Sequence, residues 1–383
     1  MGSRLNFSYN LLGDSEGNEM TKSVTSRLRL RYQALRDMYE RARKLIINEI
    51  LSQTPSKGEI DISTAYRRSR RLLDTYVTLD SQHAEDIMRI MDTIRKYASD
   101  ITRKRPLNIV MMAEPGSGKS HLVKCIANSL EMYNAAAVDF NMASLNTIED
   151  LTQPLDAVRN YKVIDRLPIL FLDEFDSNPD RYPLLLPLMW EGEVNVGHRN
   201  LKVGKLVIIL AGSSKKIVET MKSAKGMQAS APNAEPKLID LLSRINGGEL
   251  DIPPLDAVSE NRDRRVDKVC LTVSLLHARF GEILELVPWC LLRFVATNKF
   301  RYGVRSIAHL IDLINPLVED QTKIEARDLR LPLDVVGRLK ASSLAYHVFS
   351  EDGPAAIIED WKLIRKCEVP VRVIPKPEEE DNP

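Results

Sequence analysis

Residues 113–120 read Ala113-Glu114-Pro115-Gly116-Ser117-Gly118-Lys119-Ser120, between an aliphatic run, Leu107 to Met112, and a helix-forming run that opens at His121. Two glycines let such a backbone curl until consecutive N–H groups point at an anion, and the following helix adds the positive end of its dipole. A lysine and a serine closing the loop are the groups that a polyphosphate and its metal ion require. Lys119 would neutralise the β- and γ-phosphates, and Ser120 would give a hydroxyl oxygen to Mg²⁺. The loop departs from the GxxxxGK[ST] pattern at one place, Ala113, where the pattern begins with glycine. The candidate cradle is therefore Pro115, Gly116, Ser117, Gly118, Lys119, Ser120 and His121, and the ligand it implies is ATP with Mg²⁺.

Further along, the apolar run Pro168 to Leu172 ends in Asp173-Glu174-Phe175-Asp176. A strand that ends in two adjacent carboxylates suits the other half of such a site, Asp173 anchoring the hydrated Mg²⁺ and Glu174 polarising the attacking water. Read alone, the same residues would be a strand ending in an acidic turn.

Together these segments resemble the AAA+ ATPases over roughly residues 80 to 315, AxPGSGKS and LFLDEFD being similar to the Walker A and Walker B motifs of that family. Three later segments extend the resemblance. The run Lys205 to Gly212 ends in Ser213-Ser214, where the family carries its polar sensor-1 residue; the choice between the two serines stays open. Asp240 to Ile245 is similar to the helix end that holds the family's arginine finger, here Arg244. Tyr302-Gly303-Val304-Arg305 is similar to the sensor-2 motif of the lid. Asn141 stands at the family position that holds the Walker B glutamate inactive until a partner is engaged. Taken singly, Arg244 would also serve as a helix C-terminal cation and Arg305 as a surface residue. An arginine finger acting in trans implies a homo-oligomer, a hexameric ring or helical filament.

Residues so dispersed need a sheet to gather them. Short aliphatic runs (Leu107–Met112, Ala135–Asn141, Ile169–Leu172, Leu206–Ala211, Glu249–Ile252) alternate with helical stretches, which predicts an α/β fold with a parallel five-stranded sheet between helices. After Pro253-Pro254 the chain reads as helices, over Lys268–Arg279, Pro288–Lys299 and Ser306–Leu313. The predicted division is a basic N-terminal helical segment at 1–80, the ATPase α/β subdomain at 81–255, a helical lid at 256–318 and a C-terminal extension at 319–383, whose acidic end KPEEEDNP reads as disordered. Within the first segment, residues 1–20 read as a flexible lead, followed by a helical hairpin broken at Thr54–Gly58.

Composition bounds the partners. Lys plus Arg total 54 against 53 acidic residues, so no overall field draws the chain to a polyanion. Locally, residues 21–71 hold thirteen Lys/Arg against five acids. That hairpin is either a solvated basic face or a surface for nucleic acid or an acidic partner. The four cysteines are far apart, no run is long enough to span a membrane, and a cytoplasmic protein with reduced thiols is expected. Between the helix Tyr182–Trp190 and the sensor-1 strand, Val194, Val196, Leu201 and Val203 flank a polar tip with His198 and Arg199, a short hairpin or a plain surface loop. Two function classes follow: an ATPase that remodels or regulates a partner, with nucleic acid as one candidate, and a scaffold ATPase that recruits a separate effector enzyme.

Overall fold

The computed structural model describes residues 15–52, 58–70, 73, 75–164, 166–196, 198–213, 217, 236–259, 262–314, 324–325, 329 and 369–374. Five parallel strands form the central sheet in the order Ala136–Asn141, Pro168–Asp173, Val207–Gly212, Leu107–Ala113, Gly248–Ile252. The predicted α/β sheet is thus present, each strand within a residue or two of its aliphatic run. Leu107–Ala113 and Val207–Gly212 are buried along their whole length, as strands covered on both faces must be. Side-chain alternation sends Ile109 and Met111 into one core, with Ile87, Ile94, Leu122 and Ile126. It sends Val110 into the other, with Leu155, Leu185 and Leu188.

The register decides what meets at the sheet's carboxyl edge. Asn141 lies beside Asp173, Asp173 beside Ala211, and Met112 beside Gly212. The loop after Ala113, the acidic strand end at Asp173 and the strand end at Gly212 therefore share one rim.

A third core lies outside the sheet and draws on segments far apart in sequence. The N-terminal helix Ser15–Ile46 contributes Tyr39 and Ile46, and the helix Ser63–Arg70 contributes Ala65 and Tyr66. The helices Arg265–Phe280, Trp289–Thr297 and Val304–Asp312 contribute Val269, Leu292 and Ile307, and Val371 comes from the C-terminal end. Ser15–Met20, expected as part of a flexible lead, are helical: they continue the amphipathic helix whose later turns are buried. Among the lid helices runs a strand without a sequence signal, Leu286–Pro288, which pairs antiparallel with Pro370–Arg372; that strand in turn pairs parallel with Ile60–Asp61. The hairpin before the sensor-1 strand is present as Glu193–Val196 and Arg199–Lys202. The break expected at Thr54–Lys57 and the acidic end lie outside the described residues.

Candidate nucleotide site

Gly116 and Gly118 both have positive φ, +78° and +89°, conformations that side-chain-bearing residues rarely take. A Cβ on Gly116 would also collide with the carbonyl of Tyr302. Helix Lys119–Asn128 begins directly behind Gly118, so its first N–H groups face the loop. The Ser117 hydroxyl is buried with no partner among the described residues, an orphaned donor inside the cradle. Lys119 Nζ lies 3.5 Å from Asp173 Oδ1, with only 10% of the lysine side chain exposed. That pair joins the phosphate loop to the acidic strand end. The donor set fits a metal-bound polyphosphate: an inward-curled glycine loop, a largely buried ammonium, the Ser120 hydroxyl in the first helical turn and one carboxylate beside them.

Glu174 follows with φ +54°, a left-handed backbone at a residue with a side chain, which is uncommon and costs about 1–3 kcal/mol. Its N–H donates to Asp173 Oδ1 at 3.0 Å. Two residues on, Asp176 Oδ2 accepts the N–H of Ser213 at 2.8 Å, tying the sensor-1 strand end to the acidic loop. Sequence reasoning did not single out Asp176; its place just past a strand end of the same rim was the available signal. Ser214 lies outside the described residues. Asn141 Oδ1 accepts the Ala143 N–H at 2.7 Å and caps the turn Met142–Ser144, and no hydrogen bond to Glu174 is found among the described residues.

The two arginines part company. Val304 N–H donates to the Gly116 carbonyl at 3.0 Å, so the lid loop docks on the phosphate loop; the neighbouring Arg305 is exposed. Arg244 lies at the other end of the sheet. Its carbonyl accepts from Asn108 Nδ2 at 2.9 Å, near the start of the strand whose far end feeds the phosphate loop. Asn108 and Ala113 are five residues apart, about 16 Å at roughly 3.3 Å per residue. Arg244 thus cannot serve its own cradle. Its Nη2 is 3.2 Å from Asp240 Oδ1, its side chain is 21% exposed, and its Nε has no partner among the described residues.

Beside the cradle opens a cavity of about 470 Å³, lined by Thr75, Tyr76, Val77, Gly118, His121 and Leu275 among others. His121 Nε2 is 3.4 Å from Thr75 Oγ1. The segment before helix Ser81–Ser99 and the lid together wall this cavity. Asp267, also on the wall, pairs with Arg264 and accepts the Leu79 N–H. Burial pushes its carboxyl up to about 6, against the pull of Arg264.

A loop, strand end and lid in this arrangement define a P-loop nucleotide-binding domain with a helical lid. Residues 109–224 match the model of the ATPase family associated with various cellular activities (AAA), and this chain carries an AAA-family ATPase domain. A comparison with curated proteins found no match. Solved structures similar to the chain include NtrX from Brucella abortus in complex with ATP, at 15% identity over 73% of this chain and 67% of that one, TM-score 0.41. The same NtrX in complex with ADP is similar at 15% identity over 72% and 67%, TM-score 0.39. The S. cerevisiae Hsp104–ADP complex is similar at 16% identity over 66% of this chain, with TM-score 0.42; the chain spans half the length of that Hsp104 chain. No described helix is long and apolar enough to cross a membrane.

Proposed function

We propose that the chain is an ATP hydrolase whose active site is completed between subunits of a homo-oligomer, a hexameric ring or helical filament. The observation that carries the reading is the separation of Arg244 from the Lys119–Asp173 pair to opposite ends of one strand. Gly116, Ser117 and Gly118 hold the phosphates, and Lys119 neutralises them. Ser120 and Asp173 would hold Mg²⁺, which when bound offsets the charge of the β- and γ-phosphates. Glu174 takes the proton from a water whose oxygen attacks the γ-phosphorus as the bond to the leaving ADP oxygen breaks. Ser213, held by Asp176, orients that water. Asn141, one register position from Glu174, restrains the glutamate until a partner engages. Arg305 from the lid and Arg244 from the next subunit meet the charge that spreads over the equatorial oxygens; a guanidinium does so without risk of losing its proton.

Turnover in such an assembly would serve to remodel or regulate a partner in the cytoplasm. The helices within 21–71 are the candidate contact to nucleic acid, although part of their charge is taken up internally: Arg36 pairs with Glu85 at 2.7 Å and Arg31 with Asp92 at 3.8 Å. These pairings favour a second reading, a scaffold ATPase that recruits a protein effector without touching nucleic acid. The ATPase rate measured alone and with double-stranded DNA, single-stranded DNA or RNA decides between them. Stimulation by a nucleic acid supports the first reading, and none with any of the three supports the second. No ATP turnover under any condition, at a protein concentration where the chain oligomerises, would contradict both.

A further inference from the structure

Asn108 is the odd residue of an otherwise aliphatic strand, fully buried, and its carboxamide explains why a polar group is placed there. Its Nδ2 donates to two carbonyls, that of Met189 at 2.8 Å and that of Arg244 at 2.9 Å. Its own N–H is accepted by Asn246 Oδ1 at 2.7 Å, and its carbonyl accepts the N–H of Gly247 at 2.8 Å. One side chain thus pins the end of helix Tyr182–Glu191 to the end of helix Pro236–Ser243. The residue after Met189 is Trp190, 45% exposed although it is the largest side chain of its helix. Two guanidinium groups lie against its indole, Arg105 at 4.0 Å from the ring centroid and Arg244 at 5.8 Å.

We propose that Trp190 is a positioning residue for Arg244: the indole, stacked by Arg105 and next to the helix end that Asn108 pins, works with Asp240 to fix the largely buried guanidinium at the amino edge of the sheet, where a neighbour's nucleotide can meet it. This rests on Arg244 acting in trans. The physical need is clear. At the end of its short helix the guanidinium is held on one side by the half-exposed Asp240, whose two oxygens lie 3.2 and 3.4 Å from Nη2, and the indole face is its second support. An aromatic face attracts the cation without supplying a further counter-charge, so the second support leaves more positive charge for the transferring phosphoryl group than a second carboxylate would. Leu at 190 would keep apolar bulk and lose the quadrupole; Phe would keep both.

The test compares Trp190→Leu, Trp190→Phe and Arg105→Gln with Arg244→Ala in the full-length chain. Misplacement of a reacting group costs about 10²-fold in rate. Trp190→Leu should therefore lose kcat on about that scale with KM for ATP and the melting temperature unchanged, and Trp190→Phe should stay within a few-fold of the parent. Trp190→Leu subunits should recover activity when mixed with Lys119→Ala subunits and not when mixed with Arg244→Ala, a pairing that general destabilisation would not produce. Arg105 is exposed, so Arg105→Gln tests the stack if Trp190→Leu fails to fold, with a smaller fall in kcat expected. Full activity of Trp190→Leu or, in that case, Arg105→Gln beside a dead Arg244→Ala would overturn the positioning role alone. Full activity of Arg244→Ala would overturn the finger on which it rests.

Discussion

The two ends of the central sheet differ in what they gather. The carboxyl edge collects loops from four strands, Ala113 onward, Asn141, Asp173–Glu174 and Ser213, each free to carry a different chemical group because each follows its own strand end. This is where ligands sit in open parallel sheets. The amino edge collects helix ends, Met189–Trp190 and Arg244, clamped by one buried asparagine. Its charge faces away from the subunit's own cradle. On the proposed reading one chain carries two half-sites that cannot meet within it, and assembly is a condition of catalysis rather than an addition to it.

Substitutions at the carboxyl edge should give the largest effects. Lys119→Ala is expected to remove ATP binding, measured by titration calorimetry, since Lys119 closes the glycine loop with a largely buried ammonium 3.5 Å from Asp173. Glu174→Gln should leave that binding intact and lower kcat by about 10²- to 10⁴-fold, the usual contribution of a general base. Equal loss of binding in both variants would erase the division between a residue that holds charge and one that moves a proton.

A smaller effect sharpens the boundary between the rim and the lid. Asp267 has a folded pKa of about 6, above its ordinary value of 3.8. The folded chain then holds a proton that the unfolded chain has lost, and the resulting stability is full below about pH 4 and gone above about pH 6. The melting temperature of the parent minus that of Asp267→Asn should fall across this window, by an amount corresponding to no more than about 3 kcal/mol. A difference flat with pH would mean that the carboxyl is solvated and the cavity wall looser than described.

The smallest expected effect concerns the basic N-terminal helices. If they bind nucleic acid, Arg67, Arg68, Arg70 and Arg71 changed together to Gln should flatten the salt dependence of binding in a fluorescence-anisotropy titration, because fewer counterions are released. An unchanged slope would leave those helices as a basic surface folded onto the lid core.

The carboxyl edge was legible in the sequence because its signals are local. A buried parallel strand must be aliphatic along its length, so Leu107–Met112 and Ile169–Leu172 announce themselves, and glycines or carboxylates at their ends mark the rim. The amino edge and the lid were less legible because their partners are distant in sequence. Arg36 finds Glu85 forty-nine positions away, and Pro370–Arg372 is three residues long yet joins the N-terminal segment to the lid. No periodicity reveals a strand that short. Asn108 did carry a signal, a carboxamide at the second position of LNIVMM, and a buried polar group of that kind has partners to be sought.

The central claim, a catalytic site shared between two chains, is tested most directly by mixing Arg244→Ala subunits with Lys119→Ala subunits under conditions where they are shown to co-assemble. Each variant alone should be inactive. The mixture should regain part of the parent ATPase rate, with a maximum near equal proportions, because some junctions pair an intact cradle with an intact Arg244. Co-assembled mixtures that stay inactive at every ratio, or an Arg244→Ala variant that turns over ATP at the parent rate, would contradict it.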